Sequence, residues 1–205
     1  MNLFKYRADR LGKDELCAVD STTRSAYGSS LADIKWGRNK EHVPLPQTSE
    51  VVVYSLDSHM PVYYRTFPGN IPDSRSVEAI LTDISHAGFP GVILVTDRGY
   101  ESVQNLEKYI LRGQPMIMCV KMRQKIVLDR IAEFGTIGGK LGGMLFDPES
   151  RLYYKQYDLE YDVRDNGDPI HKADSMKLNL FFDPFRRAVE QTELEVAVEM
   201  QRRSL

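Results

Sequence analysis

Two short stretches of the chain join strand-forming apolar residues to a single carboxylate: Val19-Asp20-Ser21-Thr22-Thr23, and Val92-Ile93-Leu94-Val95-Thr96-Asp97-Arg98-Gly99-Tyr100. Each reads as a β-branched run that leaves the core and stops at an acid, so Asp20 and Asp97 would stand where a sheet meets water at little solvation cost. Two such aspartates on neighbouring strands make a hard-oxygen site for a divalent metal. The chemistry open to that site is metal-assisted attack on a phosphodiester. The plainer alternative is that each aspartate caps the turn after its strand.

The elements that must position these acids follow from periodicity and punctuation. Residues 1–13 are polar and aperiodic, with Gly12 as a breaker, and form a lead-in segment. Residues 15–20 make a first strand, buried enough to carry Leu16, Cys17, Ala18 and Val19 without alternation. Residues 21–50 lack periodicity and hold Gly28, Gly37, Pro44 and Pro46. They read as a long loop, and long loops inside compact domains are usually functional. Residues 51–56 and 61–66 form a hairpin beside the first strand. Asp73-Ser74 then caps a helix bearing Val77, Ile80, Leu81 and Ile84, ended by Gly88 and Pro90. Residues 92–96 are a buried strand. Ser102 opens a helix with Val103, Leu106, Tyr109 and Ile110 on one face, stopped at Gly113, and residues 116–120 are another buried strand. This order predicts an α/β fold with a ribonuclease-H-like mixed sheet flanked by helices, spanning residues 14–134.

From Arg123 the pattern changes. A short helix through Phe134 gives way to Gly135, Gly138, Gly139, Gly142 and Gly143. Strand-like stretches at 152–162 and 178–182 follow, around the turn Arg164-Asp165-Asn166-Gly167-Asp168. Residues 135–205 are thus expected to be the start of a β-rich insertion subdomain, closed by a helix that Asp183 caps and Pro184 opens. Glu199 and Arg203 still make a helical pair, and neither Gly nor Pro follows before Leu205. The chain is therefore expected to end inside an element, as a fragment.

Composition narrows the field of partners. At 205 residues, with 42% hydrophobic and 27% charged, the chain can bury a core and suits a soluble globular protein. With 27 basic against 29 acidic residues there is no global polycation, so any DNA-binding face must be local. Lys35, Arg38, Lys40 and His42, with Trp36 among them, form one candidate phosphate-contacting loop; a solvated loop whose Trp plugs the core edge is the alternative. Arg98 could touch a phosphate or neutralise the carboxylate pair, and Lys121, Arg123 and Lys125 extend the same basic face. Cys17 and Cys119 each lie in an apolar run and read as small core residues in a reducing compartment, not as a disulfide. No run approaches the roughly 20 apolar residues of a membrane span, so no membrane role and a cytoplasmic, nucleoid-associated address are expected. Gly138-Gly139-Lys140 lacks the flanking residues of a phosphate loop. His42, His59, His86 and His171 show no zinc-like spacing. Asp73 reads as a helix cap, not a metal ligand.

The segments Asp20-Ser21-Thr22, Pro68-Gly69-Asn70-Ile71-Pro72-Asp73 and Thr96-Asp97-Arg98-Gly99-Tyr100 together closely resemble the catalytic domain of DDE-type transposases of bacterial insertion sequences. The resemblance runs with few gaps over residues 17–125 and more loosely beyond. It implies cut-and-paste transposition: Asp20 and Asp97 match the first two acids, which with a distant Glu hold Mg2+ or Mn2+ and direct DNA cleavage and strand transfer. It implies DNA as partner, both element ends and target, and self-association of the full-length protein. The family's third acid sits in a Tyr, Arg, Glu, Lys series. Arg186 and Glu190 keep the Arg-to-Glu spacing, but Asp183 and Ala197 stand where Tyr and Lys belong, so Glu190 is read as a solvated helix residue and the true Glu is expected beyond Leu205. A fragment without it would be inactive alone. Another ribonuclease-H-like nuclease, or a catalytically incomplete DNA-binding scaffold, are the competing classes.

Overall fold

The computed structural model describes residues 3–28, 32–132, 136–137, 140–141, 143–165 and 168–203. Phe134, Gly135, Gly138, Gly139, Gly142, Asn166, Gly167 and Leu205, on which several sequence expectations fall, lie outside the described residues. The chain divides into two compact units, residues 1–127 and 128–205.

The first unit is built on a five-stranded sheet of order β3-β2-β1-β4-β5. A helix, α1 (Leu3–Ala8), precedes it where a lead-in segment was expected. Its Phe4 ring packs 5.1 Å from Tyr63 and 5.5 Å from Tyr64, and Ala8 is buried, which supplies the anchorage that the polar local pattern hides.

Strand β1 (Leu16–Ser25) does not stop at Asp20 but runs five residues further. Cys17, Val19, Ser21 and Thr23 are buried while Asp20, Thr22 and Arg24 are exposed, the period-2 pattern of a pleated strand. The Ser-Thr-Thr run continues the strand because β2 (Gln47–Ser55) pairs with it antiparallel as far as Ser25 opposite Gln47. Strand β3 (Met60–Pro68) completes the expected hairpin.

Helix α2 (Asp73–Ala87) buries Val77, Ile80, Leu81 and Ile84, as their spacing requires, and ends at Gly88 in the left-handed region with φ 72. Its N-cap, however, is Pro72, and the Asp73 side chain makes no capping bond. Strand β4 (Ile93–Thr96) lies parallel to β1, and α3 (Val103–Leu111) is capped by Ser102, which accepts from the Asn105 amide. The α3 face differs from expectation: Asn105 and Tyr109 are buried and Val103 is exposed. Asn105 turns inward because its Nδ2 donates to the Ser74 and Tyr100 carbonyls. Strand β5 (Met116–Met118) is a short edge strand with Ile117 exposed, not a fully buried one. Cys119, just past it, is accordingly exposed rather than in the core, while Cys17 is fully buried; both are free thiols. A mixed sheet with an antiparallel hairpin, β2 and β3, beside three mutually parallel strands, β1, β4 and β5, joined by helical crossovers is the ribonuclease-H-like arrangement.

Helix α4 (Lys125–Ala132) and the short antiparallel pair β6 (Thr136–Ile137) and β7 (Lys140–Leu141) follow. The second unit contains an antiparallel sheet of β8 (Leu145–Asp147), β9 (Leu152–Asp165) and β10 (Asp168–Phe182) in the order β10-β9-β8. Helix α5 (Pro184–Arg203) starts as its sequence dictates: the Asp183 carboxylate accepts from the amides of Phe185 and Arg186. Glu190 is exposed and paired with Arg186 at 2.8 Å. Among the described residues, no helix is long and apolar enough to cross a membrane.

Candidate active site

Parallel pairing of β1 and β4 places Val19 opposite Thr96, so the next residues, Asp20 and Asp97, are neighbours across the two strands. Parallel strands lie about 4.8 Å apart. Both aspartates are exposed, and each has one oxygen held by a backbone amide: Asp20 Oδ1 accepts from Ser21 N at 2.7 Å, and Asp97 Oδ1 from Gly99 N at 2.8 Å. These bonds orient the two carboxylates. The chain then turns sharply, with the Tyr100 amide donating to the Asp97 carbonyl at 3.3 Å, and delivers Tyr100 back into the core.

Asp73 also stands at this end of the sheet. Its Oδ1 accepts from the Ser21 hydroxyl at 2.6 Å, so the residue read from sequence as a cap instead bonds across to β1. Lys40 completes the group. Its ammonium donates to the Ser21 carbonyl at 2.7 Å and to Ser21 Oγ at 2.5 Å, and lies 3.4 Å from Asp73 Oδ2. Gly99 forms the floor between two of the acids. A Cβ there would come 3.0 Å from Asp97 Oδ1 and 3.4 Å from Asp73 Oδ2.

Tyr100 is 1% exposed and its hydroxyl interacts with the Ser21 side chain. Burial pushes its pKa up, and the charges of Asp73, Asp20 and Asp97 push in the same direction, against the lowering influence of Ser21. All three acids therefore act on one enclosed hydroxyl. Among the described residues, no three His, Cys, Asp or Glu side chains converge tightly enough to hold an ion together.

The long loop reaches the site by being laid on the turn after β3. Gln47 Nε2 donates to the Arg38 and Gly69 carbonyls, and the Gly69 amide donates to the Asp33 carbonyl. Gly37 passes so near Gly69 that a Cβ would sit 2.0 Å from its carbonyl oxygen, so only glycine fits. The Lys40 amide then donates to Thr23 Oγ1, which aims its side chain at Ser21.

The remaining basic candidates divide. Lys35, Arg38, Arg98 and Arg123 are exposed, as is Trp36 at 68%, which does not plug the core edge. Lys121 is engaged: it lies 3.2 Å from the nearly buried Glu101 carboxylate and donates to the Glu101 carbonyl. Sequence reasoning did not foresee that Ser21, Asp73 and Tyr100 stand together at this end of the sheet. The one signal for Asp73 was Pro72, whose extended backbone takes the cap position and frees the next side chain for other use.

Residues 11–177 match the transposase DDE domain family. The chain belongs to that family. Similar solved structures include the piggyBac transposase synaptic complex with hairpin DNA, at 9% identity over 83% of this chain and 33% of that one, TM-score 0.44. The Mos1 transposase paired-end complex with left transposon end matches at 10% identity over 63% and 52%, TM-score 0.36. The HTLV-2 integrase catalytic core domain in complex with magnesium matches at 12% identity over 60% and 67%, TM-score 0.34. This transposase DDE chain thus spans 33% of the piggyBac chain that it resembles. No curated protein sequence matches it.

Proposed function

We propose that this transposase DDE domain carries a metal-dependent phosphodiester-cleaving centre, with Asp20 and Asp97 holding Mg2+ or Mn2+ and DNA as the substrate. The observation that carries the reading is the β1–β4 register, which makes the two aspartates neighbours at the same end of two parallel strands. Two features suit a divalent ion: the donors are hard oxygens, and Gly99 leaves open the space beside Asp97 and Asp73 that a Cβ would fill. A divalent ion held by Asp20 and Asp97 would supply Lewis-acid chemistry for attack on a phosphodiester.

The chain's own groups supply the rest. The amides of Ser21 and Gly99 hold the carboxylates oriented. Exposed Arg98, next to Asp97, and exposed Lys35 and Arg38 on the loop offer contacts to DNA phosphates, which position the strand without reading its sequence. Cleavage at element ends, strand transfer into target DNA and self-association of the whole protein extend this reading through the family.

Calorimetric titration of the chain with Mn2+ tests it. Asp20→Asn and Asp97→Asn should each weaken binding by about tenfold or more, roughly 1.4 kcal/mol, and either change should abolish metal-dependent DNA cleavage by the transposase that contains it. Unaltered binding and cleavage in both variants would reject the assignment.

A further inference from the structure

Trp36 is the one tryptophan of the chain, and the fold holds it out in solvent, 68% exposed. Tryptophan is highly buried on average, so a ring kept this open invites the question of what it meets. The backbone around it is fastened on both sides. Before it, Lys35 and Gln47 exchange both backbone hydrogen bonds, each at 2.9 Å, as an antiparallel bridge to the first residue of β2. After it, Gly37 lies against the Gly69 carbonyl, and the Arg38 carbonyl accepts from Gln47 Nε2 at 2.9 Å. The indole is thus presented from a fixed piece of backbone and buries little of itself in return.

Position and charge indicate the occupant. Strand β2 runs antiparallel to β1 and β4 runs parallel to it, so Gln47 opens β2 at the end of the sheet toward which β1 and β4 run. Asp97 follows β4 at that same end, and Lys40 of the loop reaches across to Ser21 and Asp73. Lys35 and Arg38, one and two residues from Trp36, are exposed cations. Of the loop's two acids, Asp33 and Glu41, the second accepts from the Ser25 hydroxyl. An open indole beside two cations suits a nucleic-acid strand, whose phosphates the cations attract and whose base lies on the ring. That base must be unpaired, because inside a duplex its neighbours in the stack already cover both faces.

We infer that Trp36 is a stacking platform for an unpaired base of the DNA strand, with Lys35 and Arg38 attracting the phosphates on either side of that base. The inference rests on DNA as the substrate and deepens that reading, adding a contact to a base where only phosphate contacts stood before. Every base has a π-face, so the platform favours unpaired over paired DNA without selecting a sequence.

Because Trp36 is the sole tryptophan, its fluorescence reports the contact directly. The whole chain is titrated in EDTA, so that no metal is needed, with a dye-labelled single-stranded oligothymidylate and with a blunt duplex of equal phosphate count. Anisotropy of the dye follows binding separately from the tryptophan signal. The single strand should quench Trp36 emission at saturation, and the duplex should bind with little quenching. Trp36→Ala should weaken single-strand binding about tenfold, roughly 1.4 kcal/mol, while duplex binding and the thermal midpoint stay at their wild-type values. Trp36→Phe should recover most of the loss. Lys35→Gln and Arg38→Gln should keep the quench and each lower the salt slope by about 0.7. Bound single strand with unquenched emission, or wild-type single-strand affinity in Trp36→Ala, would overturn the inference and leave the phosphate contacts standing. Equal quenching by the duplex would put stacking at helix ends and overturn the assignment to an unpaired base. A chain that binds neither DNA would overturn both this inference and DNA as the substrate.

Discussion

At the residue scale, the site is made by side chains whose local roles look ordinary. Asp20 resembles any strand acid, Asp73 a helix cap and Gly99 a turn residue. What sets them apart is how little room they leave each other. Alanine at Gly99 would place a methyl group 3.0 Å from Asp97 Oδ1 and 3.4 Å from Asp73 Oδ2. Gly99→Ala should therefore lower Mn2+ affinity by about tenfold, roughly 1.4 kcal/mol. It should keep a thermal midpoint within about 4 °C of wild type, since a change of under about 1 kcal/mol moves a chain of this size no further. A large fall in midpoint with unchanged affinity would mean that the glycine serves the fold instead. Asp20 and Asp97 could be singled out from sequence because each follows a strand-forming run. Asp73 could not, because its partner Ser21 lies 52 residues away and no local pattern carries that contact.

At the element scale, sequence reading succeeded where one face decides the outcome and failed where a neighbouring element does. The α2 stripe of Val77, Ile80, Leu81 and Ile84 is buried as its spacing demands. The extension of β1 past Asp20 depends on β2, since Ser21, Thr22 and Thr23 are strand residues only when paired. Asn105 is buried on α3 because two carbonyls from outside the helix wait for its amide, which hydrophobicity alone cannot show. The same packing sets the response to alkali. Burial, with help from the charges of Glu15 and Asp57, pushes the Cys17 thiol on β1 from 9.0 up to about 12, and burial pushes Tyr109 on α3 from 10.0 to about 12. Tyr63 is raised by burial and by its bond to Asp83. Groups raised in the folded state favour folding fully below their unfolded pKa, and that contribution drains away as pH climbs toward the folded value. Thermal midpoints should hold below pH 9, then decline between pH 9 and 12. In Cys17→Ala the decline should begin about one unit later, where tyrosine takes over. An onset unchanged by Cys17→Ala would place the alkaline sensitivity elsewhere.

At the scale of the whole molecule, the first unit is a ribonuclease-H-like sheet whose hairpin and parallel pair leave two acids at one end, and the second is an antiparallel sheet followed by a long, exposed helix. The near balance of acidic and basic residues hides a local division of labour. Lys40 and Lys121 are paired with Asp73 and Glu101, while Lys35, Arg38, Arg98 and Arg123 are exposed. Sequence alone shows the charges but not which of them the fold has already engaged. Everything proposed for the site depends on Asp20 and Asp97 gripping a common ion. Anomalous diffraction from crystals of the chain soaked in Mn2+ tests this most directly. The account predicts a manganese peak bridged by the two carboxylates at the ends of the paired strands; a fully soaked crystal with no peak between Asp20 and Asp97 would contradict it.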